Sequence, residues 1–542
     1  MLPLMSGSEK RHLFFLVLFA LSIRLYVFLV TPVIGTDGYN WFHAARCFAE
    51  GDFEAGLRHP IHPVYPLLFA GLTKLIGDYE SAGKAVALIF GTLSILPLYF
   101  LVRSIFSHKV GIFASFLLAI NPTHVRLSAD IMSDPTYIFF FLTAIWLGWE
   151  IVNKRRALLV PLLALSISLA YLTRAEGVGL AVCIVPWLIW AWFTLKEKRL
   201  ELRRTLTVAL FVGLVMTPSL LYVYSVYKEL GVLQISRHGA ALELTGHKKP
   251  SLPEITMRVD EDTGRLREPV SSRLARWKQG REYHKIVLFV CHKFIRDYFE
   301  PLFAFFLVGF FKLARPDKIG LRALMGIIKP RFASQVRNGE LYLLTPLLLY
   351  FPIACFFAYQ TYLLSGRYIL SIVVLGFVWG GVGIERVSQY FAQFKSYFQR
   401  DTLGFERSQL LLLLILLAVV LPKDLKIKRK GEVGKKEAGH WIKAHSPTKN
   451  PTIMGLGRVD LEKVAFYAQG EFRCLSSRDY NMFQSFVNET ELNYLVFYKE
   501  ELMAHGPGLF NRVEEADDFT LLKEWVDKNN GKEKHLRVYE FV

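Results

Sequence analysis

The stretch at residues 13–39, LFFLVLFALSIRLYVFLVTPVIGTDGY, decides the class of this 542-residue chain. Its apolar part, residues 13–33, is long enough to cross a hydrocarbon layer of about 30 Å as a helix. Lys10 and Arg11 precede the run, as in a signal sequence, but the run is long and lacks a small-residue cleavage site. We therefore predict a retained first membrane span.

Similar apolar runs recur through the first three quarters of the chain, and 52% of all residues are hydrophobic. Repeated crossings require helices, because a helix satisfies its own backbone hydrogen bonds inside the membrane. We predict about eleven transmembrane helices, near residues 13–33, 84–103, 110–122, 135–152, 157–173, 177–194, 205–226, 298–314, 341–358, 368–384 and 409–421. The runs at 110–122 and 409–421 are short for a full crossing, so the count is open by about one or two.

Basic residues in the connections set the predicted orientation. The cluster Lys154-Arg155-Arg156 and the basic stretch 312–337 fall on one side, which the positive-inside rule makes cytoplasmic. The segments 34–83 and 227–297 and the tail after residue 421 are then extracytoplasmic. Because the net charge of +18 lies mostly in such clusters and not along one soluble face, we expect no nucleic-acid partner.

The extracytoplasmic segment 34–83 is unlike an ordinary loop. Residues 39–57 and 64–76 are predicted to form two helices that lie in the membrane interface. The alternative is a further span over 62–82, which would reverse the orientation of every later connection. The interfacial interpretation keeps the basic clusters on the cytoplasmic side.

After residue 421 the composition becomes that of a soluble domain. A helix is predicted at 438–444, with strands at 452–455, 494–498 and 537–542. The predicted organisation is a polytopic α-helical transmembrane domain, 1–421, followed by a small extracytoplasmic α/β domain, 422–542.

Two acidic residues stand at the predicted outer surface. Asp37 follows the first span in Gly-Thr-Asp-Gly-Tyr, and Asp134 opens a later span in Ser-Asp-Pro. Each also fits as a helix cap, since Asp is a preferred capping residue and Pro suits the first helical position. Two carboxylates on one face suit a base with its partner, or a pair of metal ligands, and the spacing does not choose. A divalent metal ion is therefore left open as a cofactor.

Cationic, aromatic and acidic side chains accompany these two carboxylates at the outer ends of the spans. The candidate substrate-binding residues are His59, His62, Tyr65, Arg174, Glu176, Arg367 and Tyr368. Arginine binds phosphate oxygens with a forked geometry and is costly to place near hydrocarbon. Snorkelling towards the headgroups is the alternative for each arginine taken alone. Together the set indicates cleavage of a sugar phosphate, which needs a base and stabilisation of a departing phosphate.

At these positions the chain resembles the membrane glycosyltransferases of the C-type fold. Specifically, it resembles the bacterial family 39-like group, which is related to protein O-mannosyltransferases and to the aminoarabinose transferase of lipid A. The resemblance covers most of the chain. It is carried by Asp37, the Pro- and Tyr-rich stretch 59–66, Asn-Pro followed by Asp134, the Arg174 and Arg367 turns, and the tail motif Val-Ala-Phe-Tyr-Ala at 464–468.

This resemblance implies inverting transfer from a polyprenyl-phosphate sugar to an acceptor hydroxyl of a lipid, polysaccharide or protein. Asp37 would be the catalytic base, and Asp134 would assist through acceptor contact or a metal ion. Arg174 and Arg367, with His59 or His62, would hold the carrier phosphate.

The chain also departs from the family pattern. Gly38 follows Asp37 where the O-mannosyltransferases carry an Asp-Glu pair, which counts against protein mannosylation. The Trp-Trp-Asp motif of oligosaccharyltransferases is absent from the sequence, which counts against whole-glycan transfer to Asn.

A transporter or flippase of lipid-linked sugars is the alternative function. It predicts charged residues or broken helices at the membrane midplane, whereas the ionisable residues here gather at one interface. We expect a multi-pass protein of the bacterial inner membrane whose site faces the periplasm or exterior.

Overall fold

The computed structural model describes residues 5–154, 156–194, 202–230, 283–311, 334–361, 364–397, 405–456, 459–475, 483–484, 487, 491–529 and 532–541. Most of the predicted loop 227–297 and of the basic stretch 312–337 lies outside these residues. The chain divides into two compact units. One comprises Met1–Phe28, Phe48–Ala241 and Glu282–Lys426, and the other comprises Leu29–Cys47, Leu242–Arg281 and Ile427–Val542.

Helices make up nearly all of the described residues as far as residue 424. They are α1 (Gly7–Val30), α2 (Gly38–Glu50), α3 (Phe53–Arg58), α4 (Val64–Ile76), α5 (Tyr79–Leu93), α6 (Ile95–Ile105), α7 (His108–Ala119), α8 (Pro122–Leu127), α9 (Asp134–Lys154), α10 (Val160–Thr173), α11 (Val178–Thr194), α12 (Leu202–Leu230), α13 (Tyr283–Tyr298), α14 (Glu300–Phe310), α15 (Ser334–Thr361), α16 (Leu370–Tyr397) and α17 (Phe405–Asp424). The helices predicted at 39–57 and 64–76 are present as α2 with α3, and as α4.

Local sequence signals set several helix boundaries. The Ser107 hydroxyl accepts a hydrogen bond from the Val110 N–H at the start of α7, at 3.2 Å. Asn121 caps α8 in the same way, and Pro122 occupies the first helical position. Gly77 ends α4 with a φ of 82°, a conformation that costs glycine little.

Five helical stretches in the described part of the chain are long and apolar enough to cross a membrane. They are Gly7–Val30, Tyr79–Ile105, Asp134–Lys154, Asn338–Tyr359 and Gly366–Tyr390. Shorter apolar helices accompany them, among them Val64–Ile76, His108–Ala119, Val160–Thr173, Ala175–Ala191 and Glu300–Phe310. The chain is therefore an integral multi-pass membrane protein, while the number of about eleven crossings stays a prediction.

Two predicted spans meet interruptions in the helical structure. The span near 84–103 includes a turn at Ser94, whose hydroxyl donates to the Gly91 carbonyl at 2.8 Å. The span predicted at 298–314 starts at a break, because Phe299 has a φ of 78° and separates α13 from α14. The apolar run continues through Ser94, so hydropathy does not predict that turn, whereas the break at Phe299 lies between Asp297 and Glu300, where the apolar pattern is interrupted.

The closest helix packing of the first unit is between α14 and α16. Gly309 lies against the carbonyl of Trp379, and Gly383 lies against the carbonyl of Phe305, with no room for a Cβ atom at either glycine. Small residues allow membrane helices to approach at backbone distance, where dispersion contacts hold them together.

The second unit contains the predicted small α/β domain. Its helices are α18 (Val433–His445), α19 (Glu462–Ala468), α20 (Lys499–His505) and α21 (Pro507–Glu515). Its strands are β1 (Thr452–Leu456), β2 (Glu471–Leu475), β3 (Tyr494–Tyr498), β4 (Phe519–Asn529) and β5 (Lys532–Phe541). They form one sheet in the order β2-β1-β3-β5-β4.

The sheet is mixed. β1 pairs in parallel with β2 and β3, whereas β5 is antiparallel to both β3 and β4. Met454, Leu495, Phe497 and Tyr539 belong to its buried core. The predicted helix and the strands near 452–455 and 494–498 are present, and the predicted strand 537–542 is the end of the longer β5. The structure adds β2 and β4, which the sequence analysis did not predict.

Candidate active site

Three of the predicted site residues form one charged network in the first unit. Arg174 donates through Nη1 to Asp134 Oδ1 at 2.6 Å. It donates through Nη2 and Nε to the two carboxylate oxygens of Glu176, at 2.8 and 3.2 Å. The forked contact with Glu176 is the geometry in which guanidinium and carboxylate bind most specifically. Because the Asp134 and Arg174 side chains are only 2% and 12% exposed, water screens this network little.

Local backbone structure explains how these residues meet. Asp134 lies in the first turn of α9, and Arg174 is the extended residue directly after α10. Ala175–Gly177 then form a single 3-10 turn. Gly177 lies so close to the Tyr171 backbone that no Cβ atom would fit, and the Tyr350 hydroxyl donates to the Glu176 carbonyl at 2.7 Å. The turn is therefore fixed from two sides.

Arg174 and Glu176 hold each other in their charged forms. Burial raises the pKa of Glu176, but the Arg174 guanidinium outweighs it and the net pKa falls to about 2. The pKa of Arg174 is raised well above its usual range, since its two carboxylate partners outweigh burial. Glu176 is thus an ionised carboxylate and a poor proton acceptor, suited to orienting a ligand and not to general-base catalysis.

Tyr368 joins the second predicted arginine to this network. The Arg174 guanidinium lies over the Tyr368 ring at 5.5 Å from its centroid. Arg367 lies over the same ring at 5.0 Å, and its Nη2 donates to the Tyr368 hydroxyl at 3.1 Å. Arg174 also lies 5.9 Å from the Tyr137 ring centroid. The structure therefore brings Asp134, Arg174, Glu176, Arg367 and Tyr368 together around one aromatic side chain.

His62 lies on the Glu176 side of this cluster. Its ring is packed between Tyr171 and Tyr222, with centroid distances of 5.4 and 5.2 Å. It is close enough to interact electrostatically with Glu176.

The other two candidates from the same stretch have local contacts. The hydroxyl of the buried Tyr65 donates to the Gly83 carbonyl at 2.9 Å. His59 Nδ1 accepts a hydrogen bond from the Ile61 N–H at 3.5 Å. Substrate contact for these two residues stays a prediction.

Asp37 belongs to the other unit. It is half-buried in the turn between α1 and α2, where the Gly38 N–H donates to the Gly35 carbonyl at 3.0 Å. A Cβ atom at Gly38 would lie 2.9 Å from Ile34 Cδ1, the end of a flexible side chain, so a larger residue would require a small shift of that methyl group.

Asp297 is a buried acidic residue that the sequence analysis did not single out. A Cβ atom at Gly366 would lie 2.6 Å from its Oδ1 and 2.7 Å from its Oδ2, so the carboxylate is pressed against the turn that carries Arg367. Oδ1 accepts from the Thr123 hydroxyl at 3.4 Å, and the Asp297 carbonyl accepts from the Asn121 amide at 2.9 Å.

Among the described residues, Oδ2 of Asp297 has no hydrogen-bond partner. A negative charge here faces the amino end of the helical segment that begins at Gly366, where the helix dipole favours it. Asp297 precedes a predicted span directly, and this position gave the sequence analysis no reason to separate it from ordinary flanking charge.

Metal binding finds no support in this arrangement. Within the described residues, no group of three or more His, Cys, Asp or Glu side chains is placed to hold a metal ion. Asp134 uses one carboxylate oxygen for Arg174, which would compete with a divalent cation for it.

Comparison with known proteins gives this geometry a context. Residues 58–222 match the family described as dolichyl-phosphate-mannose-protein mannosyltransferase. The matched segment includes His62, Asp134, Arg174 and Glu176. No curated protein matches the chain.

Solved structures resemble the whole chain at low sequence identity. The oligosaccharyltransferase of Archaeoglobus fulgidus in its apo form superposes with a TM-score of 0.55 at 12% identity, covering 97% of this chain and 74% of its own. The archaeal oligosaccharyltransferase AglB from Archaeoglobus fulgidus, in complex with an inhibitory peptide and a dolichol-phosphate, gives a TM-score of 0.53 at 12% identity, covering 98% of this chain and 74% of its own. ArnT from Cupriavidus metallidurans bound to undecaprenyl phosphate gives 0.54 at 14% identity, covering 97% of both chains. The expectation from the sequence motifs is confirmed: this chain has the C-type fold of membrane glycosyltransferases.

Proposed function

We propose that this chain is an inverting glycosyltransferase that moves a sugar from a polyprenyl-phosphate donor to an acceptor hydroxyl. The observation that carries the proposal is the buried network of Asp134, Arg174 and Glu176 beside Tyr368 and Arg367. Two structures of the same fold are described as bound to dolichol-phosphate and to undecaprenyl phosphate, which supports this class of carrier. We place the reaction on the periplasmic or exterior face of a bacterial inner membrane.

In this proposal Arg367 is the principal ligand of the carrier phosphate. Arg174 already faces two carboxylates, so its positive charge is compensated within the network. Arg367 lies against the same aromatic ring, and a planar guanidinium held by stacking loses little freedom when it binds phosphate. His62 is proposed to border the phosphate region, since its charge would add to that of Arg367 when protonated.

Asp134 and Glu176 are proposed to position other groups. The Asp134 side chain is 2% exposed, so it acts by fixing Arg174 and not by direct proton transfer. The Glu176 side chain is 30% exposed and remains ionised, which suits it to accept hydrogen bonds from hydroxyls of the sugar or acceptor.

Asp37 is proposed as the base, as the family resemblance implies. The acceptor oxygen forms a bond to the anomeric carbon while the bond from that carbon to the phosphate oxygen breaks. The acceptor proton passes to Asp37, and the carrier leaves as polyprenyl phosphate. A phosphate leaves readily once cations neutralise it, so catalysis reduces to orienting and deprotonating the hydroxyl.

The acceptor is proposed to be a hydroxyl of a lipid, a polysaccharide or a protein. The turn around Asp37 carries Gly38 where protein O-mannosyltransferases carry a second acid, so we rank lipid and polysaccharide acceptors ahead of protein.

A transfer assay in membranes tests the proposal. Membranes containing the wild type or Asp37→Asn receive a panel of radiolabelled polyprenyl-phosphate sugars, and labelled products are followed in lipid, polysaccharide and protein fractions. We expect transfer from at least one donor by the wild type, a loss of about 100-fold or more in Asp37→Asn, and unchanged carrier binding. No turnover of any donor by the wild type would instead favour the transporter, which labelled-lipid translocation in vesicles would then reveal.

A further inference from the structure

The segment that carries Asp37 is held on both sides by residues of the soluble tail. We propose that the α/β domain is a positioning element for this acid, acting through two tyrosine hydroxyls, Tyr467 from the tail and Tyr39 from α2. The inference rests on the proposed function, because it assigns the domain a role in that same reaction. All of the contacts that carry it lie within the second unit.

Before Asp37, the tail holds the backbone that leaves α1. The Ile34 N–H donates to the Tyr467 hydroxyl at 3.1 Å. Lys436 Nζ donates to the Pro32 carbonyl at 3.2 Å and lies 5.2 Å from the centre of the Tyr467 ring. Ile34 is fully buried, so its N–H has no access to water in place of the tyrosine. The chain is fixed three residues before the acid.

After Asp37, the roles of side chain and backbone are reversed, because a tyrosine of this segment binds the backbone of the tail. The Tyr39 hydroxyl accepts from the Phe472 N–H at 2.7 Å and donates to the Gly470 carbonyl at 3.4 Å. Burial raises the pKa of this hydroxyl, which keeps it protonated and able to donate. Further along α2, Arg46 Nη1 donates to the Gln469 carbonyl at 2.9 Å. The chain is fixed again two residues after the acid.

Apolar contacts support these hydrogen bonds. The Phe42 and Phe466 rings meet edge to face with centroids 5.0 Å apart, and Tyr39 meets Phe472 at 6.0 Å. Phe42 is fully buried. Aromatic pairs of this kind hold a relative orientation as well as bury area.

The tail side of this contact is itself rigid. Gln469 has a φ of 56°, an unusual value for a residue other than glycine, at the end of α19. Gly470 lies so close to the Pro451 carbonyl that no Cβ atom would fit, and the Glu471 N–H donates to that carbonyl at 2.9 Å. The turn at 469–471 is therefore fixed beside the start of β1. From there β2 runs parallel to β1, with Thr452 paired to Glu471. A left-handed residue directly after a helix is a common helix end, and here it sets the direction in which the chain turns towards β2.

A base that acts on a bound hydroxyl must be placed to a fraction of an ångström, and side chains on loops reach such precision only with support from a rigid element. The Asp37 turn lies between two helices and gains that support from Tyr467 before it and Tyr39 after it. Both tyrosines are positioning residues in this account, since neither is proposed to touch the substrate.

The first test measures the position of the segment without reference to catalysis. Hydrogen exchange of peptides covering residues 32–42 and 469–475 is followed in the wild type, Tyr39→Phe, Tyr467→Phe and the double variant. Each variant leaves one backbone N–H without its tyrosine partner, that of Ile34 or that of Phe472, so we expect about tenfold faster exchange for each single variant and more for the double. Tyr494→Phe, in β3 of the same domain, is the matched control and should leave these peptides unchanged. Unchanged exchange in the double variant would overturn the proposal, whatever the activity.

The second test asks whether the two tyrosines act through Asp37. In transfer assays at a temperature where protease resistance shows every variant folded, the double variant should lower kcat about 10- to 100-fold with the donor KM unchanged. In the Asp37→Asn background the same two substitutions should change the residual rate by less than about twofold, because residues that act through one group are not additive. An equal loss in both backgrounds would contradict the positioning role.

The outcomes separate this inference from the proposed function. A wild type without any transfer refutes the proposed function, and the exchange measurement still decides whether the tail holds the Asp37 segment. A wild type that transfers sugar, with a double variant of normal kcat, refutes the inference alone.

Discussion

Asp134 and Asp37 are two acids predicted from the same kind of sequence signal, and the molecule holds them in opposite ways. Asp134 is buried and paired with Arg174 at 2.6 Å, so charge fixes it. Asp37 is half-buried in a turn whose flanking residues bind a folded domain through backbone N–H and C=O groups. An acid fixed by an ion pair is well placed to organise other groups. An acid in a half-buried turn whose backbone is held on both sides is proposed instead to act in the chemical step.

The largest expected effect is on the ion-paired acid. Asp134→Ala leaves Arg174 buried with Glu176 as its remaining carboxylate partner, and loss of one member of a buried pair typically costs about 3–5 kcal/mol. We expect a loss of this size in the free energy of unfolding, measured in detergent, together with weaker binding of polyprenyl phosphate. Asp134→Asn, which keeps shape and an acceptor oxygen, is the matched control with a smaller loss. An Asp134→Ala variant with the same free energy of unfolding as the wild type would show that the Asp134–Arg174 pair does not stabilise the fold.

The next effect concerns the turn that carries Arg367. Gly366→Ala places a Cβ atom 2.6 Å from Asp297 Oδ1, so the turn or the carboxylate must move. We expect a loss of about 1–3 kcal/mol in stability and a higher donor KM, as for other overpacked sites.

A double-mutant cycle checks whether Asp297 is the cause. Gly366→Ala should cost less in the Asp297→Ala background, because the clash is then removed. Purely additive losses in unfolding free energy would mean that Asp297 does not support the arginine turn. Asp52→Ala, at an exposed helix cap elsewhere in the same unit, is the control, because Gly366→Ala should cost the same with or without it.

The smallest effect is the pH dependence that Glu176 adds to stability. Its pKa falls from 4.5 to about 2 in the folded protein, so its contribution is present above pH 4.5 and is lost as the pH falls towards 2. Glu176→Gln should remove this part of the pH dependence, which we set at about 1 kcal/mol after allowance for partial solvent screening. The comparison is the unfolding free energy of the two proteins between pH 6 and pH 3. Parallel curves would indicate that Arg174 does not hold Glu176 ionised.

Much of the fold follows from the sequence, for identifiable reasons. Apolar runs of span length predict α1, α9 and the start of α16 well, because burial in lipid depends on composition alone. Of the hairpin formed by β4 and β5, the sequence predicts only the end of β5. Lys523, Glu524 and Asp527 interrupt the apolar pattern of β4, and its register comes from pairing with β5 and not from its own periodicity.

The site was partly predictable. Arg174 and Glu176 are neighbours in sequence, so their turn could be recognised, and Asp134 was placed on the same surface by topology. The contact of Asp297 with Thr123 joins residues 174 positions apart, and no local pattern encodes it. The tail motif Val-Ala-Phe-Tyr-Ala was recognised as a resemblance, but its attachment to the Asp37 segment requires the tertiary structure.

The central claim is a division of labour, in which Asp37 serves the chemical step and the Asp134–Arg174 pair serves donor binding. The most direct measurement compares Asp37→Asn with Asp134→Asn, using polyprenyl-phosphate affinity and the single-turnover rate of transfer from a saturating donor. We predict that Asp37→Asn retains the affinity and loses about 100-fold or more in rate, whereas Asp134→Asn weakens the affinity and retains most of the rate at saturation. The reverse pattern, or equal losses of rate in both variants, would contradict it.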